Sequence, residues 1–311
     1  MAIQWFPGHM NKARKEVKET LPLIDIVIEV LDARLPYSSE NPMIGALGEG
    51  KTRLKLLTKS DLADPDKTAL WLDYFKREKA IDALALTTEH PEQIRRLTGH
   101  IRRLLPDREG SHKTINVMIM GIPNVGKSTL INTLAGRNIA KTGNEPAVTK
   151  GQQKIKLEQG ILLFDTPGML WPKVENPNSA YRLATTGAIK DTAISHLDVA
   201  YFAADFMLRD YPQRLRERYG LDALPEPGTA SAEIELLELI GARRGCLSGG
   251  GRVDLERVAT LFLNELRNGS LGPITLEVPS MIEPEEREVE RLKAEKAARD
   301  EERKARRKQK K

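Results

Sequence analysis

The segment that most restricts this chain is Gly121-Ile122-Pro123-Asn124-Val125-Gly126-Lys127-Ser128, which fits the pattern G-x-x-x-x-G-K-[ST]. Its flanks supply the required context. Ile115 to Met120 reads as a strand running straight into Gly121, and Lys127 to Leu134 reads as a helix. A glycine loop between strand and helix lets backbone N–H groups wrap phosphate, and the helix N-terminus adds partial positive charge. On this reading Asn124, Val125, Gly126 and Thr129 lie against phosphate, Lys127 bridges the β- and γ-phosphates, and Ser128 holds Mg2+.

The rest of the first half alternates strands and helices. Strands are predicted over Ile24–Val30, Leu54–Leu57, Ile81–Leu86, Gln153–Leu157 and Ile161–Phe164. Helices are predicted over Pro65–Lys79, with Asp64 as N-cap, and over Pro91–Leu105, stopped by Pro106. Such alternation implies an α/β fold with a mostly parallel sheet. From about residue 175 the apolar residues recur at helical spacing, as in Ile234, Leu236, Leu237, Leu239 and Ile240. The expected organisation is therefore an α/β domain over 1–175, an all-α domain over 176–280, and a charged tail over 281–311, disordered or a frayed helix.

Further motifs fall around this frame. Asp165-Thr166-Pro167-Gly168 ends a strand, where an Asp can partner Mg2+ and the Gly N–H can sense a γ-phosphate. Between the two phosphate motifs, Thr149 is the preferred hydroxyl to close on Mg2+ and γ-phosphate, with Thr142 as rival. Thr58-Lys59-Ser60-Asp61 resembles the N-K-x-D motif of GTPases, whose Asp accepts from guanine N1–H and the 2-amino group. Adenine offers no such donors, so a carboxylate there selects guanine. Lys59 would lay its stem over the base. Thr58 departs from the motif's Asn, with a shorter side chain that bonds less well. Thr87, after Leu86, is assigned to the base side as well. Asp32 and Arg34 end the first strand and read either as a local ion pair or as part of an interface with the nucleotide or a macromolecular partner.

The order of these motifs is informative. The base-reading residues (58–61, 87) precede the phosphate residues (121–129, 149, 165–168), so the chain reads as a circularly permuted P-loop GTPase. Composition bounds the class. At 311 residues with 40% apolar and 30% charged content the chain suits about two domains. The best apolar run, Leu23–Leu31, is broken by Asp25 and Glu29, and Met1–Trp5 has no signal-peptide character. The single cysteine, Cys246, excludes a disulfide framework or cysteine-rich zinc module and suits a cytoplasmic protein. Net charge is +5, much of it in Arg303–Lys311, which reads as a solvated end or an RNA contact.

Three segments carry a closer resemblance: Trp5-Phe6-Pro7-Gly8-His9-Met10, Asp32-Ala33-Arg34-Leu35-Pro36, and the P-loop itself. Together with Ala242-Arg243-Arg244-Gly245 and Gly272-Pro273-Ile274-Thr275-Leu276-Glu277 they resemble the ribosome biogenesis GTPase A (YlqF-type) family over roughly residues 1–280. The resemblance implies a cytoplasmic factor in late assembly of the large ribosomal subunit, binding through rRNA and released on GTP hydrolysis. A monomer with no membrane or DNA partner is expected. Met169 occupies the place where many GTPases carry a water-orienting Gln, so hydrolysis is expected to be weak alone and stimulated by the ribosomal particle. His9, to which the resemblance also points, is the candidate catalytic substitute, against the reading of a surface histidine beside a helix start. Asn124 suggests K+ beside the phosphates, as in similar GTPases. A tRNA-modifying or signalling GTPase and a passive RNA-binding protein are the competing readings. The intact Lys127, Ser128, Asp165 and Gly168 argue against the second, and the lack of another catalytic domain against the first.

Overall fold

The computed structural model describes residues 9–43, 50–106, 114–140, 153–168, 174–189 and 195–309, with the side chains of 9–14, 304–305 and 307–309 left aside. The first helix, α1 (His9–Thr20), leads to β1 (Ile26–Asp32), a buried strand that starts and ends two residues later than its apolar pattern suggests. A one-turn helix α2 (Pro36–Ser39), β2 (Thr52–Thr58), α3 (Pro65–Lys76) and β3 (Ile81–Ala85) follow. The predicted single helix over 91–105 is two, α4 (Pro91–Arg95) and α5 (Leu97–Arg103). Next come β4 (Ile115–Gly121), α6 (Lys127–Ala135), β5 (Gln153–Lys156) and β6 (Ile161–Asp165).

These strands form one sheet in the order β3-β2-β1-β4-β6-β5, parallel except for the edge strand β5. The centre is buried on both faces, which is why β1 and β4 read as continuous apolar runs. The register sets Asp32 beside Thr58 and Val30 beside Gly121. Asp32, Thr58, Ala85, Gly121 and Asp165 are thus all at carboxyl ends of parallel strands, where ligands bind in open α/β sheets. Gly121 must be glycine, because a Cβ there would stand 2.8 Å from the Val30 carbonyl oxygen.

Beyond the sheet the chain is helical: α7 (Pro177–Thr185), α8 (His196–Asp210), α9 (Pro212–Tyr219), α10 (Ala232–Arg244) and α11 (Leu255–Arg267). Their own core includes Ala203, Leu236, Ile240, Phe262 and Leu263. α7 joins the two parts, with Leu183 in the sheet-side core and Ala184 in the helical one. The segment Ile274–Glu277 then returns across the α/β part. Ile274 N–H donates to Leu62 O (2.9 Å), Leu276 N–H to Arg34 O (2.7 Å), and Trp71 Nε1 to Glu277 O (3.1 Å). Trp71 is fully buried. The final helix, α12 (Ile282–Gln309), carries the charged tail.

Candidate functional site

The phosphate end is built by the turn from β4 into α6. Asn124 (φ 61°) and Gly126 (φ 90°) occupy left-handed backbone, a conformation open to Gly and tolerated by Asn. This turns the loop so that α6 starts at Lys127. The Lys127 ammonium pairs with Asp165 Oδ1, and both groups are buried. Burial pushes the Asp165 carboxyl up, against the pull of Lys127 and of the Thr166 N–H. Its second oxygen, Oδ2, is buried with no hydrogen-bond partner. Gly168 lies on the P-loop, since a Cβ there would be 3.2 Å from Pro123 N. Ser128, half-buried, and Thr129, exposed, open the first turn of α6.

The base end is held to the phosphate end by direct bonds. The Thr58 hydroxyl lies within bonding reach of the Leu31 carbonyl (2.8 Å) and of the P-loop carbonyl of Val125. The shorter side chain therefore still ties the two loops together. Lys59, also left-handed (φ 56°), donates to Asn124 O (2.7 Å) and to Asp32 Oδ2 (2.9 Å). Ser60 N–H donates to Leu86 O (3.2 Å), which draws the β3 end alongside. There the Thr87 hydroxyl donates to Asp61 Oδ1 (2.6 Å) while accepting from Glu89 N–H (3.1 Å). Asp61 itself is exposed, as a reader of a ligand edge must be.

Asp32 and Arg34 form the ion pair weighed from the sequence, and they also reach the site. Arg34 grips Asp32 through Nε (2.9 Å) and Nη2 (2.7 Å). Burial alone would raise the Asp32 carboxyl, but Arg34 and Lys59 outweigh it and hold it far below the usual range. Arg34 Nη1 also donates to Arg267 O (3.2 Å), at the end of α11. Arg267 in turn donates to Thr185 O (3.0 Å) and Ala184 O (2.8 Å), the last turn of α7. Close by, Asn124 Nδ2 donates to Gly187 O (3.0 Å). The helical part is thereby bonded to both ends of the site. Sequence reasoning missed this link because its acceptors are backbone carbonyls, which leave no residue-type signature.

Thr149, Thr142 and Met169 lie outside the described residues, and His9 is placed only as the first residue of α1. His100 is a structural residue bonded to Asp82 (2.7 Å). Among the described residues no cluster of three or more His, Cys, Asp or Glu could hold a metal ion, and no helix is long and apolar enough to cross a membrane. The donors that are present, the Ser128 hydroxyl and the partnerless Asp165 Oδ2, nevertheless fit Mg2+. That ion usually takes one or two protein oxygens and completes its shell from nucleotide phosphate and water.

A P-loop and the Thr58–Asp61 loop, braced together at the carboxyl ends of one sheet's strands with the P-loop second in the chain, define a circularly permuted P-loop GTPase. Residues 116–220 match the family described as a 50S ribosome-binding GTPase. Ribosome biogenesis GTPase A of Priestia megaterium is 49% identical over 91% of this chain and 99% of its own length, and that of Bacillus cereus 47% identical over 94% and 99%. The GNP-bound YlqF structure from T. maritima is 27% identical, with a TM-score of 0.56, covering 86% of this chain and 98% of its own. The chain belongs to the ribosome biogenesis GTPase A family, and it hydrolyses GTP.

Proposed function

We propose that this GTPase is an assembly factor for the large ribosomal subunit, binding the late precursor through rRNA and leaving when GTP is hydrolysed. The observation that carries the reading is the bond from P-loop Asn124 to Gly187, reinforced by Arg34 and Arg267. A helical part bonded to both ends of the nucleotide site can favour one nucleotide state, which is the differential contact a switch needs. The names of the relatives, and of the 50S ribosome-binding family, support a ribosomal partner.

Asp61, backed by Thr87, reads the guanine edge, and Lys59 covers the base. Lys127 and the P-loop N–H groups hold the phosphates, with Gly168 set to sense the γ-phosphate. Ser128 and Asp165, with Thr149 from the intervening loop, would hold Mg2+, which would supply positive charge to offset the charge that develops on the phosphates. His9 supplies the group that Met169 cannot, and Asn124 the site for K+ beside the phosphates; the ribosomal particle stimulates turnover. An H9A protein should bind GTP normally and lose stimulated turnover, and K+ should support faster stimulated hydrolysis than Na+.

Cosedimentation with isolated ribosomal subunits tests the whole reading. The chain should pellet with large subunits in a non-hydrolysable GTP analogue and much less in GDP. Equal association with both nucleotides, or with neither subunit, would overturn it.

A further inference from the structure

The turn that ends α7 is where the helical part reaches the phosphate loop, and it closes in a pattern that calls for a left-handed residue. Gly187 N–H donates to Ala184 O (3.0 Å) and Ala188 N–H to Leu183 O (2.9 Å), with Gly187 at φ 77°. The Gly187 carbonyl takes no part in this pairing and accepts instead from Asn124 Nδ2 (3.0 Å). Arg267 holds the same turn. It donates to Ala184 O through Nη2 (2.8 Å) and to Thr185 O through Nε (3.0 Å), at the helix C-terminus where cations are favoured. A Cβ on Gly187 would stand 3.5 Å from Arg267 Nε, an ordinary contact. Glycine is therefore required at 187 by backbone conformation rather than by lack of room.

On the other side of the bond, Asn124 is held twice. Its carbonyl accepts from Lys59 Nζ (2.7 Å), and its side-chain amide is tied to Gly187. Between these holds its backbone is left-handed (φ 61°), as is that of Gly126 (φ 90°). Asparagine tolerates that region without enforcing it. The backbone N–H groups that wrap phosphate in such loops belong to this same stretch. Whatever keeps Asn124 left-handed therefore also shapes the phosphate cradle.

We propose that the α7 turn belongs to the phosphate site: Gly187 is a positioning residue that holds Asn124, and Arg267 holds the turn that presents Gly187. The role concerns nucleotide binding itself and does not depend on a ribosomal partner. Linkage gives it a regulatory consequence. Anything that draws the α7 turn off Asn124 weakens nucleotide binding, and bound nucleotide steadies the turn by the same factor.

The test is a double-mutant cycle on the full chain without ribosomes, reading affinity for fluorescently labelled GTP and GDP. N124G removes the side-chain amide and keeps the left-handed backbone, whereas G187A keeps the amide and strains the turn. Each should bind both nucleotides about fivefold more weakly, the worth of one ordinary hydrogen bond. The double variant should also be about fivefold weaker rather than about twenty-fivefold, because both changes break one link. G220A is the control. Gly220 closes α9 at φ 63° with nothing within 4 Å of its Cβ position, and its N–H bonds back to Arg216 O (2.8 Å) within that helix. Alanine strains it as it strains Gly187, so G220A should melt lower yet bind nucleotide like wild type. If G187A does not fold, R267M takes its place in the cycle. Hydrogen exchange adds a second readout: the Gly187 and Ala188 amides should exchange more slowly with GTP bound than without, and N124G should abolish that difference. Wild-type affinity in G187A, losses that multiply in the double variant, an equal loss in G220A, or exchange at Gly187 and Ala188 that ignores nucleotide would each overturn the proposal.

Discussion

Asp32 holds two cations at once, Arg34 toward the helical part and Lys59 toward the P-loop. D32N should strand a guanidinium only 3% exposed, and breaking such a pair costs about 3–5 kcal/mol. The pH dependence has a definite sign. The folded carboxyl lies below its unfolded value, so its stabilisation is fully present above about pH 4, the ordinary Asp value, and is lost as pH falls through the lower folded value. The gap in denaturant midpoint between wild type and D32N should therefore be constant near neutrality and close on acidification; a gap that widened would refute this role. At Asp61, D61N turns an acceptor of guanine donors partly into a donor. GTP affinity should drop by about 100-fold or more, while xanthosine triphosphate, whose carbonyl in place of the 2-amino group can accept from the Asn amide, should bind more tightly than it does to wild type; competition binding would tell. Lys127 and Asp61 were legible because each stands in a short contiguous pattern. Thr87 was only faintly so: a lone threonine says little until the fold places its hydroxyl 2.6 Å from Asp61. Asn124–Gly187 was illegible, joining a side chain to a carbonyl 63 positions away.

Elements were legible where their period was long and their ends were marked. The helix α3 begins at Pro65 because Asp64 accepts from Asp66 N–H (3.0 Å) and Lys67 N–H (3.2 Å), both chemically evident in the sequence. The break between α4 and α5 was not evident, since the apolar residues keep helical spacing straight across Arg96. The return of Ile274–Glu277 across the α/β part depends wholly on tertiary partners. Glu277 shows how much it carries: its carboxylate accepts from Tyr37 N–H (2.8 Å) and Ser38 N–H (3.1 Å) at the start of α2, and from Arg182 (3.3 Å). E277A should cost about 3–5 kcal/mol, read as a lower urea midpoint, because it removes a buried partner of Arg182 and uncaps α2. In the helical part, G241A should destabilise by about 1–3 kcal/mol, because the new Cβ would fall 2.4 Å from Val253 Cγ1 and 2.6 Å from Val258 Cγ2. Thermal melts of that variant with GTP present should show the loss undiminished if the defect is confined to packing.

For the molecule as a whole, the permutation places the break in the usual motif order just past Gly168, the proposed γ-phosphate sensor, and α7 is the next described helix in the chain. Small-angle scattering with GDP and with a non-hydrolysable GTP analogue should give different profiles if nucleotide state reorients the helical part, and identical profiles with both nucleotides bound would count against it. The permuted sheet was legible as α/β, yet its strand order was not, because β1 pairs with β2 and also with the distant β4. That last pairing has a consequence for biosynthesis. The register joins Ile26 to Val117 and Val30 to Gly121, so β1 emerges with one whole edge unpaired and waits for a strand not yet made. At about 5–20 residues per second the wait is roughly 5–20 s. Throughout it an apolar strand edge is open to any passing chain. The base-reading half thus stays unfinished on the translating ribosome until the phosphate loop follows it out, and cold or slowed translation should lengthen that exposure in proportion.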